Sequence, residues 1–229
     1  MQEQAAVVIV AAGASRRMGG RDKLWLPLAG RCTLARTIDI FAASPLISTI
    51  ILVLNPDRLA DAQALCAREG WTGIGGIIPG GARRQDSVCA GLDYLATNAP
   101  ETRWVMIHDG ARPLVTPAIL EAGLQAAQEH QAVVAAVPVK DTIKQVRDGI
   151  IHSTPERSQL WAVQTPQVFA FPLIHQAHHS ELAQAEATDD AALLERLGHP
   201  VAIFPGSYTN LKITTQEDLL IAEALLQGS

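Results

Sequence analysis

Arg16, Arg17 and Lys23 follow within ten residues of Gly13, where an apolar run ends. Fixed positive charge beside a glycine turn suits a polyphosphate. Gly13 lets the backbone approach a ligand closely, and Ala14 and Ser15 keep the turn small, so that exposed amides there can join Arg17 and Lys23 around the anion. The spacing matches neither G-x-G-x-x-G nor G-x-x-x-x-G-K-[ST], which removes the main support for dinucleotide-fold and P-loop readings. A tight surface turn carrying solvated basic side chains is the alternative.

Four further loops carry chemistry. The segment Gly80-Gly81-Ala82-Arg83-Arg84-Gln85-Asp86-Ser87 places paired glycines, guanidinium groups and a hydroxyl at a helix start, where free amides favour an anion or a polar base edge. A solvated helix cap would use the same residues. Asp109 directly follows an apolar stretch and precedes Gly110-Ala111-Arg112-Pro113. It is a suitable ligand for magnesium, which binds through one or two carboxylates plus phosphate oxygens, and equally a turn cap. A segment near 139–165 supplies Thr142, Arg157 and Thr165, and a late loop supplies Lys212.

Delivering these groups to one place requires a particular scaffold. The run Ala6-Val-Val-Ile-Val-Ala-Ala12 is β-branched and does not alternate, as expected of a strand covered on both faces in a parallel sheet. Further strands are expected at 49–54, 74–78, 104–108, 132–139 and 201–204, with helical spacing between them. Thr116-Pro117 forms an N-cap with Pro at the first helical position, and Thr214-Thr-Gln-Glu217 fits a capping box. Alternating strands and helices imply an α/β, Rossmann-like, doubly wound and mostly parallel sheet, whose ligands sit beyond the strands' carboxyl ends.

Between 139 and 165 charged residues interrupt the apolar positions, as neither a core strand nor a core helix would tolerate. This predicts a projecting β-arm with its turn near Asp148-Gly149. Ile143, Val146, Ile150 and Ile151 would then be exposed unless a second subunit covers them.

Composition narrows the class. At 229 residues and 48% hydrophobic content, one substantial core is expected, so 1–229 reads as a single domain. The net charge of −5 argues against nucleic acid as partner. No apolar stretch reaches the roughly 20 residues that span a bilayer, and Met1-Gln2-Glu3-Gln4 lacks the charge of a signal peptide, so no membrane association and a cytoplasmic location are expected. The last helix runs nearly to Ser229, which suggests no fused second catalytic domain. Cys32, Cys66 and Cys89 are odd in number and widely spaced, without C-x-x-C or a neighbouring His. They read as reduced packing residues. His178-His179 reads as the solvated face of a helix.

The motifs Ala11-Ala-Gly-Ala-Ser-Arg-Arg-Met18 with Lys23, Gly80-Gly-x-x-Arg84-x-Asp-Ser-Val88, His108-Asp-Gly-Ala-Arg-Pro113 and Val139-Lys-Asp-Thr-Ile143 occur in order, followed by Leu160-Trp-x-x-Gln-Thr-Pro-Gln167, Thr188-Asp-Asp190 and Asn210-Leu-Lys-Ile-Thr214. Together they closely resemble the 2-C-methyl-D-erythritol 4-phosphate cytidylyltransferase family over nearly the whole chain. The first motif is shared by many nucleotidyltransferases, whereas the later ones bear on the substrate.

The resemblance implies a nucleotidyltransferase fold, a homodimer joined through the 139–165 arm, and magnesium-dependent reaction of CTP with methylerythritol phosphate to give the CDP-alcohol and pyrophosphate in the non-mevalonate isoprenoid pathway. It implies that Ala11, Ala12, Gly13, Gly81, Arg84, Ser87 and Asp109 meet the nucleotide, with Asp109 also meeting magnesium. Arg112, Thr142, Arg157, Thr165, Thr188 and Lys212 would hold the methylerythritol phosphate, Thr142 and Arg157 coming from the partner subunit. Arg17, Lys23, Arg157 and Lys212 would be catalytic.

Such chemistry needs cations rather than a base. Two polyanions must approach, and the attacking phosphate monoester is already ionised near neutral pH, so no Ser/His/Asp set is expected. Asp22 before Lys23, Trp25 and Ala82 depart from the family pattern, which bears on loop order and nucleobase discrimination more than on reaction class. Ribitol-5-phosphate cytidylyltransferase shares the fold, the nucleotide loops and the reaction type. A CTP-binding module without turnover is the alternative of another class.

Overall fold

The computed structural model describes residues 3–13 and 22–228. All seven residues of β1 (Ala5–Ala11) are buried, which an unbroken apolar run permits and an alternating one would not. There follow β2 (Pro27–Leu28), β3 (Arg31–Cys32), α1 (Thr33–Ala42), β4 (Ile47–Leu54), α2 (Leu59–Glu69), β5 (Ile74–Pro79), α3 (Arg84–Asn98), β6 (Trp104–Asp109), α4 (Pro117–His130) and β7 (Ala132–Pro138). The second half of the chain comprises β8 (Gln145–Arg147), β9 (Ile150–Ser153), β10 (Trp161–Ala170), α5 (Phe171–His178), α6 (Ala191–Arg196), β11 (Ala202–Pro205) and α7 (Gln216–Gln227).

Seven strands form one sheet in the order β11-β7-β10-β6-β1-β4-β5. β1 pairs in parallel with both β4 and β6, so the chain leaves it in opposite directions and opens a crevice beyond its carboxyl end. Side chains alternate between two cores. Val7 and Ile9 pack with Leu34 and Phe41 of α1 and Leu120 of α4, while Val8 and Val10 meet Val88 and Leu92 of α3 and Ile174 of α5. Each such fully buried side chain contributes about 1.5–3 kcal/mol by removal from water.

β10 runs antiparallel to both neighbours, β6 and β7. Sequence spacing does not reveal this strand, because Gln164, Thr165 and Gln167 interrupt it, yet all three are buried. Their polar groups find tertiary partners: Gln164 Nε2 donates to the Ser207 carbonyl, and Gln167 Nε2 to Asp189 Oδ2 at 2.8 Å. Residues 161–163 of the projecting segment thus pair with β7, and the free part lies before them.

There, β8 and β9 form a separate two-stranded hairpin. Asp148 and Gly149 both take positive φ, at 49° and 77°, the conformation of a two-residue type I′ turn. Val146, Ile150 and Ile151 are 55%, 73% and 60% exposed.

Two local expectations change. The capping box on α7 is Thr215 with Asp218, one residue later than Thr214 with Glu217, because Asp218 accepts from the amides of both threonines. His178 is buried rather than solvated: it follows Ile174 by four residues on the inner face of α5.

Candidate active site

The carboxyl ends of β1, β5 and β6 converge on a cavity of about 300 Å³. Ala11, Ala12 and Gly13 line it from β1, and Gly81, Arg84 and Ser87 from the turn into α3. Close approach explains the paired glycines. A Cβ on Gly80 would collide with Ala12 Cβ, and one on Gly81 with Asp86 Cβ. Ser87 Oγ accepts the Gly81 amide at 3.1 Å, which locks the turn, and Asp86 accepts from the Arg83 amide at 3.0 Å. Lys23, Asp109 and Lys212 complete the charged wall.

A second cavity of about 410 Å³ adjoins the first and shares Arg84, Asp109 and Lys212 with it. Arg112, Thr165 and Thr188 line this second space. Asp109 therefore stands in the partition.

Three cations surround Asp109: Lys212 Nζ lies 2.7 Å from Oδ2, Arg84 Nε 3.1 Å from Oδ1 and Arg112 Nε 3.9 Å from Oδ2. Burial opposes ionisation of its carboxyl, but Arg84 and Lys212, with Arg112, outweigh burial and hold it well below the usual carboxylate range. It is the only carboxylate among the described residues lining the first cavity, so a cation arriving with a nucleotide's phosphates would find one ionised ligand there.

Arg84 bridges two buried acids. Its Nη1 donates to Asp190 Oδ2 at 2.7 Å while its Nε donates to Asp109. Burial works against its charge, and Asp190 and Asp109 more than restore it. His178 Nε2 lies 3.3 Å from the other oxygen of Asp190, without hydrogen-bond geometry. Asp190 closes the Thr188-Asp-Asp190 motif, whose local sequence assigns it no role. Its partners lie 106 and 12 positions away, a separation that no local pattern exposes.

A directed chain of hydrogen bonds fixes Asp109 from behind. Burial pushes the imidazole of His108 down to about 4, so the ring is neutral at physiological pH. Among the described residues only a carbonyl faces Nε2, that of Arg112 at 3.2 Å, so Nε2 carries the proton and Nδ1 accepts. Thr165 Oγ1, 3.1 Å away, then donates to Nδ1 and accepts the Asp109 amide at 3.0 Å. The Thr165 hydroxyl gives its one proton to this chain and orients Asp109, so toward a ligand in the second cavity it can accept but not donate. Arg112 is held in turn by donation from Nη1 to the Asn210 carbonyl at 2.7 Å.

Of the expected site residues, the two cavities gather Ala11, Ala12, Gly13, Lys23, Gly81, Arg84, Ser87, Asp109, Arg112, Thr165, Thr188 and Lys212. Thr142 and Arg157 line neither cavity. Both are exposed on the arm, where Arg157 Nη1 donates to the Lys140 carbonyl at 3.1 Å. Arg17 lies outside the described residues.

The arrangement suits two phosphate-bearing ligands meeting across one cationic partition. The sequence model of the 2-C-methyl-D-erythritol 4-phosphate cytidylyltransferase family matches residues 5–228. The protein of that name from Dehalococcoides mccartyi is 46% identical over 228 residues, covering 99% of this chain and 98% of its own. That from Syntrophotalea carbinolica is 48% identical over 227 residues, covering 96% and 95%. The crystal structure of 4-diphosphocytidyl-2C-methyl-D-erythritol synthase from Anaerococcus prevotii superposes with a TM-score of 0.85 at 31% identity, covering 98% of this chain and 99% of that one.

Proposed function

The chain belongs to the 2-C-methyl-D-erythritol 4-phosphate cytidylyltransferase family, and from that premise we propose how its residues divide the work of transferring CMP. The reaction joins CTP and 2-C-methyl-D-erythritol 4-phosphate into 4-diphosphocytidyl-2-C-methyl-D-erythritol, with release of pyrophosphate, in isoprenoid biosynthesis. The carrying observation is the pair of cavities that share Arg84, Asp109 and Lys212.

CTP occupies the first cavity in this reading. The backbone of 11–13 and the Gly81–Ser87 turn hold the cytidine and phosphates, while Lys23, together with Arg17, balances charge on the α-phosphate. The alcohol phosphate enters the second cavity, where Arg112, Thr188 and Lys212 receive it. Its phosphate oxygen attacks the α-phosphorus, forming one P–O bond as the bond to the pyrophosphate leaving group breaks. The nucleophile is already ionised, so the protein contributes alignment and positive charge rather than a base.

Asp109, the one carboxylate among the described residues lining the first cavity and held ionised, would hold magnesium, an ion that takes one or two carboxylates together with phosphate oxygens. When bound, it supplies positive charge at those oxygens.

The arm completes the site in a homodimer. Val146, Ile150 and Ile151 need a cover, and Thr142 with Arg157 would reach the partner's second cavity. No helix among the described residues is long and apolar enough to cross a membrane, and Cys32, Cys66 and Cys89 are all free. We place the enzyme in the cytoplasm, where thiols stay reduced.

Pyrophosphate release from CTP tests this assignment. It is expected to need both magnesium and an alcohol phosphate, and to run much faster with methylerythritol phosphate than with ribitol 5-phosphate. Equal rates with both alcohols would remove the specificity assigned to the arm, and CTP binding without release would leave a binding module.

A further inference from the structure

Away from the two cavities, α3 and α5 pack side by side and each presents two chemistry-bearing residues four positions apart: Cys89 and Asp93 on α3, His175 and His179 at the end of α5. That spacing puts both members of each pair on one helix face. Cys89 Sγ lies 3.9 Å from His179 Nε2 and 3.8 Å from Asp93 Oδ2, and His179 Nε2 lies 2.7 Å from Asp93 Oδ1. All three ligand atoms fall within 4.8 Å of one another. A tetrahedral zinc ion with ordinary bond lengths separates its ligand atoms by about 3.3–3.7 Å, so both contacts of Cys89 Sγ already stand near that spacing, and His179 Nε2 would part from Asp93 Oδ1 by about 0.6 Å to admit the ion.

We propose that Cys89, Asp93 and His179 form a binding site for a divalent transition-metal ion of the zinc class, separate from the catalytic cavities. The donor set selects the metal. A thiolate with an imidazole suits zinc or cobalt and disfavours magnesium and calcium, which take oxygen ligands. Three protein ligands leave the fourth position to water. His175 is a positioning residue: its Nε2 lies 3.0 Å from Asp93 Oδ1 and its ring stacks on Phe171 at 5.5 Å, so it sets the carboxylate's orientation. The cluster is half-buried at the surface, which leaves an entrance for the ion.

Such an ion would clip α5 to α3 one turn beyond Arg84 and Ser87. The start of α3 is already tied to the segment that follows α5, where Gln85 Nε2 donates to the carbonyl of Ala183. Metal occupancy would therefore stiffen the helix that opens the nucleotide turn. This inference rests on the cluster's own geometry and not on the assignment of substrates.

The test is a titration of the full chain with Zn2+ against a chromophoric chelator, and with Co2+ by absorbance, both in millimolar Mg2+. One equivalent of each is expected, the cobalt form showing a thiolate-to-metal charge-transfer band and the intense visible bands of a four-coordinate ion. Cys89→Ser is expected to abolish that band and weaken Zn2+ binding by about 100-fold or more, His175→Gln to weaken it about 10–100-fold, and Cys66→Ser to change neither. His179→Gln, at a half-exposed position, serves as a second ligand deletion should Cys89→Ser fold poorly. Absence of saturable binding, or a cobalt spectrum unchanged in both Cys89→Ser and His179→Gln, would overturn the site and leave a hydrogen-bonded His–Asp–His cluster.

Discussion

Lys212 Nζ sits 2.7 Å from Asp109 Oδ2 in the partition between the two cavities. The carboxylate thus holds the lysine where both cavities meet, and under the proposed function a phosphate in either cavity would compete for the same charge.

Lys212→Met should lower turnover by about 10²-fold and raise the Michaelis constant for the alcohol phosphate, because a preorganised cation at the attacking group is lost. Arg84 still pairs with Asp109, so folding should hold. Steady-state pyrophosphate release checks this. A change confined to the CTP constant would move Lys212 to the nucleotide side.

Lys23→Ala and Arg157→Ala should each be nearly inactive alone. Mixed under conditions that allow subunit exchange, they should regain part of the activity, since a mixed dimer assembles one site with both cations. Exchange without recovery would place Arg157 in its own chain's site.

Ile150→Asp puts a charge at a position that is 73% exposed in one chain and buried if arms pair. Sedimentation should show a monomer with an unchanged circular dichroism spectrum. A dimer of undiminished stability would place the interface elsewhere.

Stability should fall with pH through His108. Its folded value is about 4 against 6.5 unfolded, so below pH 6.5 the unfolded chain binds a proton that the folded chain refuses. The loss grows from pH 6.5 down to 4 and reaches about 3 kcal/mol. Asp109 and Asp190 are also held below their ordinary value, and their losses begin only near and below pH 3.8. In urea unfolding across this range, His108→Gln should flatten the upper window, and a slope that survives the substitution would exonerate the buried ring.

Asp190→Ala removes a fully buried carboxylate facing Arg84 and His178. The guanidinium then loses one of its two anions, and about 3 kcal/mol of stability should go with it. The urea midpoint should drop at constant slope, and the CTP Michaelis constant should rise because Arg84 is no longer fixed. A shift under about 1 kcal/mol would make the pair incidental.

What the sequence disclosed follows from how locally each feature is encoded. β1, the glycine turn before α3, Asp109 at a strand end and the Asp148-Gly149 turn are all written in contiguous residues. β10 is not, because its buried glutamines and threonine are tolerated only through Ser207, Asp189 and His108, which are distant in the chain. His178 and Asp190 escaped for the same reason. Cys89 gave no metal signal because its histidine stands 90 positions away.

The reversed direction of β10 has a consequence for redesign. In the parallel strands the loops that follow reach the functional edge, but at β10 it is the preceding segment that does. Both roots of the arm therefore leave from one edge, stitched by the Val139 amide to the Leu160 carbonyl at 3.0 Å and by Tyr208, whose hydroxyl donates to the Pro138 carbonyl at 2.7 Å. Residues 140–159 thus lie between those stitches and hold the hairpin β8-β9, which pairs with no strand of the main sheet, so exchanging them is expected to leave the sheet register in place. If the arm pairs subunits as proposed, that one insert would carry subunit pairing together with the acceptor contacts of Thr142 and Arg157, while Arg112, Thr188 and Lys212 stay on the body of the enzyme.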